Sequence, residues 1–356
     1  MASLLERSRR PGCFAIADAN RTVEGVTMKL GVILGALAGL AVATGLILHF
    51  GWRQISDAAV AAGWQGLAAI TAIYFACLLI CALAWRAVII VAPRNAIFAC
   101  LWGRWLRESV GNLLALLPTA GEIAGARELT FHGVPSGMAG ASTVVDLTME
   151  LASQIVFTLF GLSLFLIAYP GKGIGTSLLV GLSISAATVA GFILAQRRGL
   201  FDLLERLPER LDLKWAWKAL PEAKSVQAGI HRIYRHHRRV SIGAGWHLAG
   251  WVLGAGEAWV GLWFMGHALP WSDALILESL AFALRTAAFV VPARLGIQEG
   301  SYVVLGALFG LSPEVALGLS LLKRAREITT GVPCLIIWQG LEARRLWGTR
   351  QHSQIG

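Results

Sequence analysis

The stretch LAAITAIYFACLLICALAWRAVIIVA, Leu67 to Ala92, holds one charged residue, Arg86, in twenty-six positions. A helix needs about 20 apolar residues to cross a hydrocarbon core of about 30 Å, so the stretch is long enough with residues to spare. Lipid offers the backbone no hydrogen bonds, and a continuous apolar run can satisfy itself there only as a helix. A membrane β-strand would alternate apolar and polar residues, and this run does not. Working outward, Leu30–Phe50, Ile174–Ala195 and Ile242–Gly266 repeat the same texture. The whole chain agrees, with 56% hydrophobic and 15% charged residues, against roughly a quarter charged in soluble domains. The sequence therefore predicts an all-α fold: a polytopic membrane helical bundle with about six full spans.

In a soluble protein a net charge of +10 would suggest nucleic acid. Here it predicts no nucleic-acid partner, because Lys and Arg gather on the cytoplasmic side against anionic headgroups. The polar stretch from Arg197 to Val240 holds eleven of them, Arg197 to Arg239, and reads as a cytoplasmic loop. The tail with Arg344, Arg345 and Arg350 and the N-terminus read the same way, so both termini are expected in the cytoplasm of a bacterial inner membrane. Residues 1–27 are polar and without periodicity, and Met28-Lys29 would make a natural start before the first span. Leu30–Phe50 is too long for a signal-peptide core and has no small-x-small cleavage site. Cys77, Cys81, Cys100 and Cys334 lie in or beside apolar segments and read as small hydrophobes. No metal set, cofactor motif or catalytic signature such as H-E-x-x-H, G-x-S-x-G or a Walker loop is present. The fourteen Trp residues read as an interfacial belt.

Two regions break the pattern. Ala96–His132 is interrupted by Arg104, Arg107, Glu108, Pro118, Glu122, Arg127 and Glu128, and Trp271–Gly310 by Glu278, Arg285, Pro292, Arg294 and Glu299. Apolar pieces so short cannot cross at 1.5 Å per residue. Both regions read as broken or re-entrant helices, allowed where protein or water covers the backbone. Pro118 and Pro292 lie 174 positions apart, and that displacement lays Leu67–Ala92 on Val240–Gly266. Each half then has three crossings, an odd number, which turns the halves upside down to one another as an inverted repeat. The expected organisation is a tail over 1–27, a first membrane repeat over 28–170, a second over 171–342 with the basic loop 197–240, and a tail over 343–356.

The candidate binding residues sit in and after the broken regions. Pro118-Thr119-Ala120-Gly121-Glu122 and Pro292-Ala293-Arg294-Leu295-Gly296-Ile297-Gln298-Glu299-Gly300 share one logic. Pro ends a half-helix, Gly permits the turn, and a carboxylate follows. Ser142, Asp146, Glu150 and Ser153 recur at helical spacing, as do Ser320, Lys323, Glu327 and Thr330, with Arg324 adjacent. Ionisable groups at membrane depth are costly and mark a substrate path or a partner. An acidic stripe facing the basic one across the pseudo-twofold would neutralise both. The competing reading is structural, with buried ion pairs pinning hairpins and a polar seam joining helices. Glu257 needs a partner, with Arg285 expected. Gly31, Gly35 and Gly39 form a small-residue face for packing within the chain or in a homo-oligomer.

Gly111-Asn112-Leu113-Leu114 through Pro118-x-x-Gly-Glu, followed by Arg127, resembles the first signature of the lysylphosphatidylglycerol synthase transmembrane-region family. Gly296-Ile297-Gln298-Glu299-Gly300 and then Leu321-Leu322-Lys323-Arg324-Ala325-Arg326-Glu327 resemble its second, most closely in the hopanoid-biosynthesis-associated branch. The family's Pro-Gly-Gly turn is Pro292-Ala293-Arg294 in this chain. The resemblance implies a lipid-handling, flippase-like membrane module. A chain ending at Gly356 leaves no room for the soluble aminoacyl-transferase domain of full-length members, so lipid aminoacylation is not expected. The leading expectation is a non-enzymatic transporter or flippase for an amphiphilic lipid such as a hopanoid. The other two are an intramembrane enzyme using Glu122 or Glu299 on a lipid headgroup, and a scaffold for lipid-synthesis enzymes. For the leading reading the binding residues are Glu122, Arg127, Asp146, Glu150, Arg285, Arg294, Glu299, Lys323, Arg324 and Glu327.

Overall fold

The computed structural model describes residues 60–114, 119–170, 214–287 and 296–352, with positions 57 and 194. The expected spans Leu30–Phe50 and Ile174–Ala195, the two prolines Pro118 and Pro292, and Arg294 lie outside the described residues. Every described element is helical. The first four are α1 (Gly63–Val88), α2 (Ala96–Leu113), α3 (Ala120–Phe131) and α4 (Ser136–Ala168). Then come α5 (Lys214–Tyr234), α6 (His237–Phe264), α7 (Trp271–Ala287), α8 (Ile297–Gly306) and α9 (Pro313–His352), with a 3-10 turn at Ala307–Phe309. Among the described residues α1 and α4 are long and apolar enough to cross a bilayer.

The most extensive contact is between α1 and α6. Ile70, Tyr74, Leu78 and Ala82 make a four-residue ridge on the buried face of α1, the spacing that seats one helix in the groove of another. Gly66 lies against Phe264, Cys77 opposite Gly250, and the carbonyl of Ala84 beside Gly243. The partner numbers fall as the α1 numbers rise, so the two helices run antiparallel. Outward faces are apolar: Ile167 is 78% exposed, Trp263 61% and Ile336 67%. Water would not tolerate such a continuous surface, whereas hydrocarbon favours it.

α2 and α3 form a tight helical hairpin. A Cβ on Gly121 would stand 2.4 Å from the Arg107 carbonyl oxygen, so only glycine lets the two backbones meet there. Gly121 is thus a contact residue inside α3 rather than the turn expected after Pro118. The rings of Phe98 and His132 lie 6.0 Å apart, tilted to each other, which brings the start of α2 beside the end of α3. At 1.5 Å per residue, the 12 residues of α3 reach about 18 Å, short of a full crossing. α7 and α8 make the second hairpin. α8, of 10 residues, opens at Gly296 with φ +74°, a left-handed conformation that side chains with a Cβ resist.

The stretch 197–240, expected to be a loop, is helical from Lys214 onward. Gln227, Ile230 and Ile233 are buried, while Lys224, Arg232 and Arg235 are exposed. α5 is therefore an amphipathic helix whose apolar stripe its many basic residues disguise. It packs on α4 with Ser225 seated against Gly137. α6 starts at once, and Arg239 Nη1 donates to the Ile89 carbonyl at 3.3 Å, satisfying an acceptor at the C-terminal end of α1.

Element bounds recur along the chain at the Pro118–Pro292 interval of 174. Displaced by it, α1 runs 237–262, against His237–Phe264 for α6; α2 runs 270–287, against Trp271–Ala287 for α7. α3 and α4 fall in the same way on α8 and on the first part of α9. The packing recurs too, since α4 lies against α7 and α9 against α2.

Candidate functional site

Two buried ion networks occupy the bundle. The first is built on α2 and α4. Arg104 and Arg107, one turn apart, reach across to Asp146 and Glu150, also one turn apart. Arg104 Nη1 and Arg107 Nη2 each donate to Glu150 Oε2 at 2.8 Å, and Arg107 Nη1 donates to Asp146 Oδ2 at 3.0 Å. His247 of α6 brings Nε2 within 2.9 Å of Asp146 Oδ1. Asp146 and His247 are almost wholly buried, as are both arginines. Towards the open side, Glu108 pairs with Arg104 at 2.9 Å, and Glu122 of α3 lies 3.6 Å from Arg107 Nε. Trp85 Nε1 donates to Ser142 at 3.2 Å, and Ser153 donates to the Ala244 carbonyl at 2.9 Å. The serines of the predicted stripe thus complete the seam around the charges. Trp85 is fully buried, so it belongs to this core and not to an interfacial belt.

The second network joins α6, α7, α8 and α9. Lys323 Nζ donates to Glu278 Oε1 at 2.7 Å and to the Tyr302 hydroxyl at 2.9 Å, and Tyr302 donates to the same carboxylate at 2.6 Å. Arg326 Nη2 donates to Glu257 Oε2 at 3.1 Å and lies over the Tyr74 ring. Arg285 Nη1 donates to Gln298, and Gln298 Nε2 to Ser320, whose hydroxyl donates to Glu299. Arg324 bridges Glu299 at 3.4 Å and Glu327 at 3.0 Å. Such charges survive burial because nearly all are paired; removing one partner would strand the other.

Several expectations are corrected. The acidic stripe does not face the basic one, because Asp146 and Glu150 are taken by Arg104 and Arg107, and Lys323 by Glu278. Arg285 is not the partner of Glu257; Arg326 and, at 4.0 Å, Lys323 are. The Arg127 side chain is 52% exposed and bonded to Glu342 at 2.8 Å. With Arg345 on Glu128, it latches α3 to the end of α9, away from either network. Thr330 is spent on the Arg326 carbonyl.

Arg104, Arg107, His247, Glu278, Gln298, Tyr302 and Arg326 were not among the candidates. One signal was present: positions 104 and 278 are 174 apart, as are 150 and 324, and each pair carries opposite charges. The charges of Arg104 and Glu150, which pair in the first half, thus recur reversed as Glu278 and Arg324 in the second, where Glu278 pairs with Lys323 and Arg324 with Glu299 and Glu327.

Beside the networks runs an apolar groove of about 410 Å³ between α1, α2 and α9, lined by Trp64, Leu67, Phe75, Trp105 and Pro333. Pro333 inside α9 has no N–H to complete the ladder. Trp105 Nε1 donates to the Thr330 carbonyl at 3.2 Å, tying α2 to this part of α9.

A family model described as the lysylphosphatidylglycerol synthase TM region matches residues 32–333. No curated protein and no solved structure matches the chain.

Proposed function

The chain belongs to the lysylphosphatidylglycerol synthase transmembrane-region family, and from that membership we propose that it moves an amphiphilic lipid between leaflets without modifying it. Membership places it among membrane proteins with a lipid connection. The finer reading has a transporter of hopanoid-like or other amphiphilic lipid in a bacterial inner membrane, with both termini cytoplasmic. The observation that carries it is the pair of buried ion networks, one at each helical hairpin. A bundle held only by packing has no use for so many charges, and at this depth they mark a polar path.

An inverted repeat fits the same observations. Corresponding helices α1 and α6 pack antiparallel, as an operator that reverses direction requires and a parallel repeat forbids. α2–α3 would then enter from the cytoplasmic face and α7–α8 from the outer one, and folds of that kind bind substrate at the repeat interface near mid-depth. The groove beside Trp105 and Pro333 offers an apolar bed for a tail. Glu122 and Glu299, the candidate general acids of an enzymatic reading, both face guanidinium groups. Such pairing suits binding better than proton transfer, which needs a carboxyl free to change its charge.

The test uses liposomes that hold only this protein and a headgroup-labelled lipid. Labelled lipid is expected to change leaflet faster than in empty vesicles, with unchanged mass. Exchange no faster than the control, together with a new lipid species, would replace transport by chemistry.

A further inference from the structure

Arg285 is a buried cation whose bonds are incomplete. Its Nη1 is fixed by Gln298 Oε1 at 2.9 Å, and Gln298 is fixed by Ser320 at 3.0 Å. Its guanidinium lies over the Phe282 ring at 4.0 Å, so the plane is held. Nε and Nη2, the two N–H groups along one edge, are buried and have no hydrogen-bond partner among the described residues. That edge is a fork that grips a carboxylate or phosphate through two parallel bonds. The nearest carboxylate does not close it. Glu278 Oε2 stands 3.9 Å from Nη2, too far for a hydrogen bond, and is itself unpartnered, while Oε1 serves Lys323 and Tyr302. Arg285 is 7% exposed and Glu278 0%. Burying charged groups with their hydrogen bonds unmade is costly, so adjacent ones point to a ligand. The sign of a ligand there follows from its surroundings. Arg285 and Lys323 both approach Glu278, two cations on one carboxylate.

We propose that the free edge of Arg285 binds an oxyanion of the phosphate type, with Glu278 Oε2 accepting a hydroxyl or ammonium hydrogen carried beside it. The proposal deepens the transport reading and rests on it only in taking the anion to belong to a lipid headgroup. A free phosphate has the same chemistry, so the experiment separates the two.

Purified full-length protein in detergent is presented with phosphatidylglycerol, with diacylglycerol of the same chains, and with inorganic phosphate. Retained lipid is read by native mass spectrometry. Wild type is expected to keep phosphatidylglycerol over diacylglycerol. Arg285→Lys, which keeps the charge and loses the fork, should weaken retention about tenfold, the worth of one charge-assisted hydrogen bond. Arg238→Lys, on the exposed basic surface, should leave it unchanged. If inorganic phosphate alone binds with the same dependence on Arg285, the occupant is a free anion; if only the lipid binds, it is a headgroup. A readout that needs no variant is the Arg285 Nε–H resonance, which should move on adding either phosphate source to wild type. No shift and no preference in folded wild type, or equal retention in Arg285→Lys, would overturn the site and leave water as its occupant. Binding that persists while liposomes show no leaflet exchange would uphold the site and sink transport.

Discussion

Single charges in this bundle divide by how much else depends on them. Glu150 accepts from Arg104 and Arg107 together, so Glu150→Gln takes one carboxylate charge from two buried guanidinium groups at once, leaving them to share Asp146 and Glu108. Its expected cost is about 3–5 kcal/mol, the usual penalty for breaking a buried pair, read as reduced yield and an earlier unfolding transition in detergent. Glu122, 25% exposed on its side chain and 3.6 Å from Arg107, has no such dependants. Glu122→Gln should fold like wild type and yet slow leaflet exchange; equal loss of folding in both variants would make Glu122 a structural residue. The sequence displayed these residues unevenly. Asp146, Glu150, Lys323 and Glu327 stood out because helical spacing lines them up on otherwise apolar segments. In the sequence Arg104 and Glu278 show only as interruptions, since pairing across helices leaves no trace in local spacing. His247 was invisible, being a lone histidine whose meaning comes from Asp146, 101 positions away.

Elements were legible where hydrophobicity sets their length and illegible where polarity masks a helical face. Leu67–Ala92 gave α1 nearly to its bounds, because a span must be apolar all round. α5 was hidden because Lys and Arg on its exposed face outweigh Ile230 and Ile233 beneath. The hairpins were readable as interruptions, but their closeness depends on a glycine whose role only the packing reveals. Gly121→Ala would push a methyl group to 2.4 Å from the Arg107 carbonyl. Overpacking against backbone costs about 1–3 kcal/mol, and here it would also tilt Arg107 away from Asp146. Gly111→Ala is the matched control, since a Cβ there meets nothing within 4 Å and alanine favours the helix by about 1 kcal/mol. Thermal melts should therefore move in opposite directions. A Gly121→Ala protein as stable as wild type would mean the hairpin can open at no cost.

Recurrence across the whole molecule is written in distances along the chain more plainly than in residue identities. Few residues recur at an interval of 174, yet helix bounds, interhelix partners and even reversed charges do. Membrane packing explains the difference, because lengths are set by the bilayer and close contacts by small residues, while lipid-facing identities are nearly free. If the two halves are inverted, the two ends of α6 must lie on opposite sides, with α1 antiparallel beside it. Its 28 residues extend about 42 Å at 1.5 Å per residue, more than the hydrocarbon core. Arg235 and His267 flank the helix and are both exposed. With the five native cysteines replaced, Arg235→Cys should react with an impermeant maleimide only after the membrane is opened. His267→Cys should react in intact cells. Arg235, among the basic residues of α5 and α6, is the position the positive-inside rule holds in the cytoplasm. Reaction of both cysteines from one side would mean that α6 does not cross. The antiparallel α1–α6 pair would then be a core of some other arrangement, and the two hairpins would no longer enter from opposite faces.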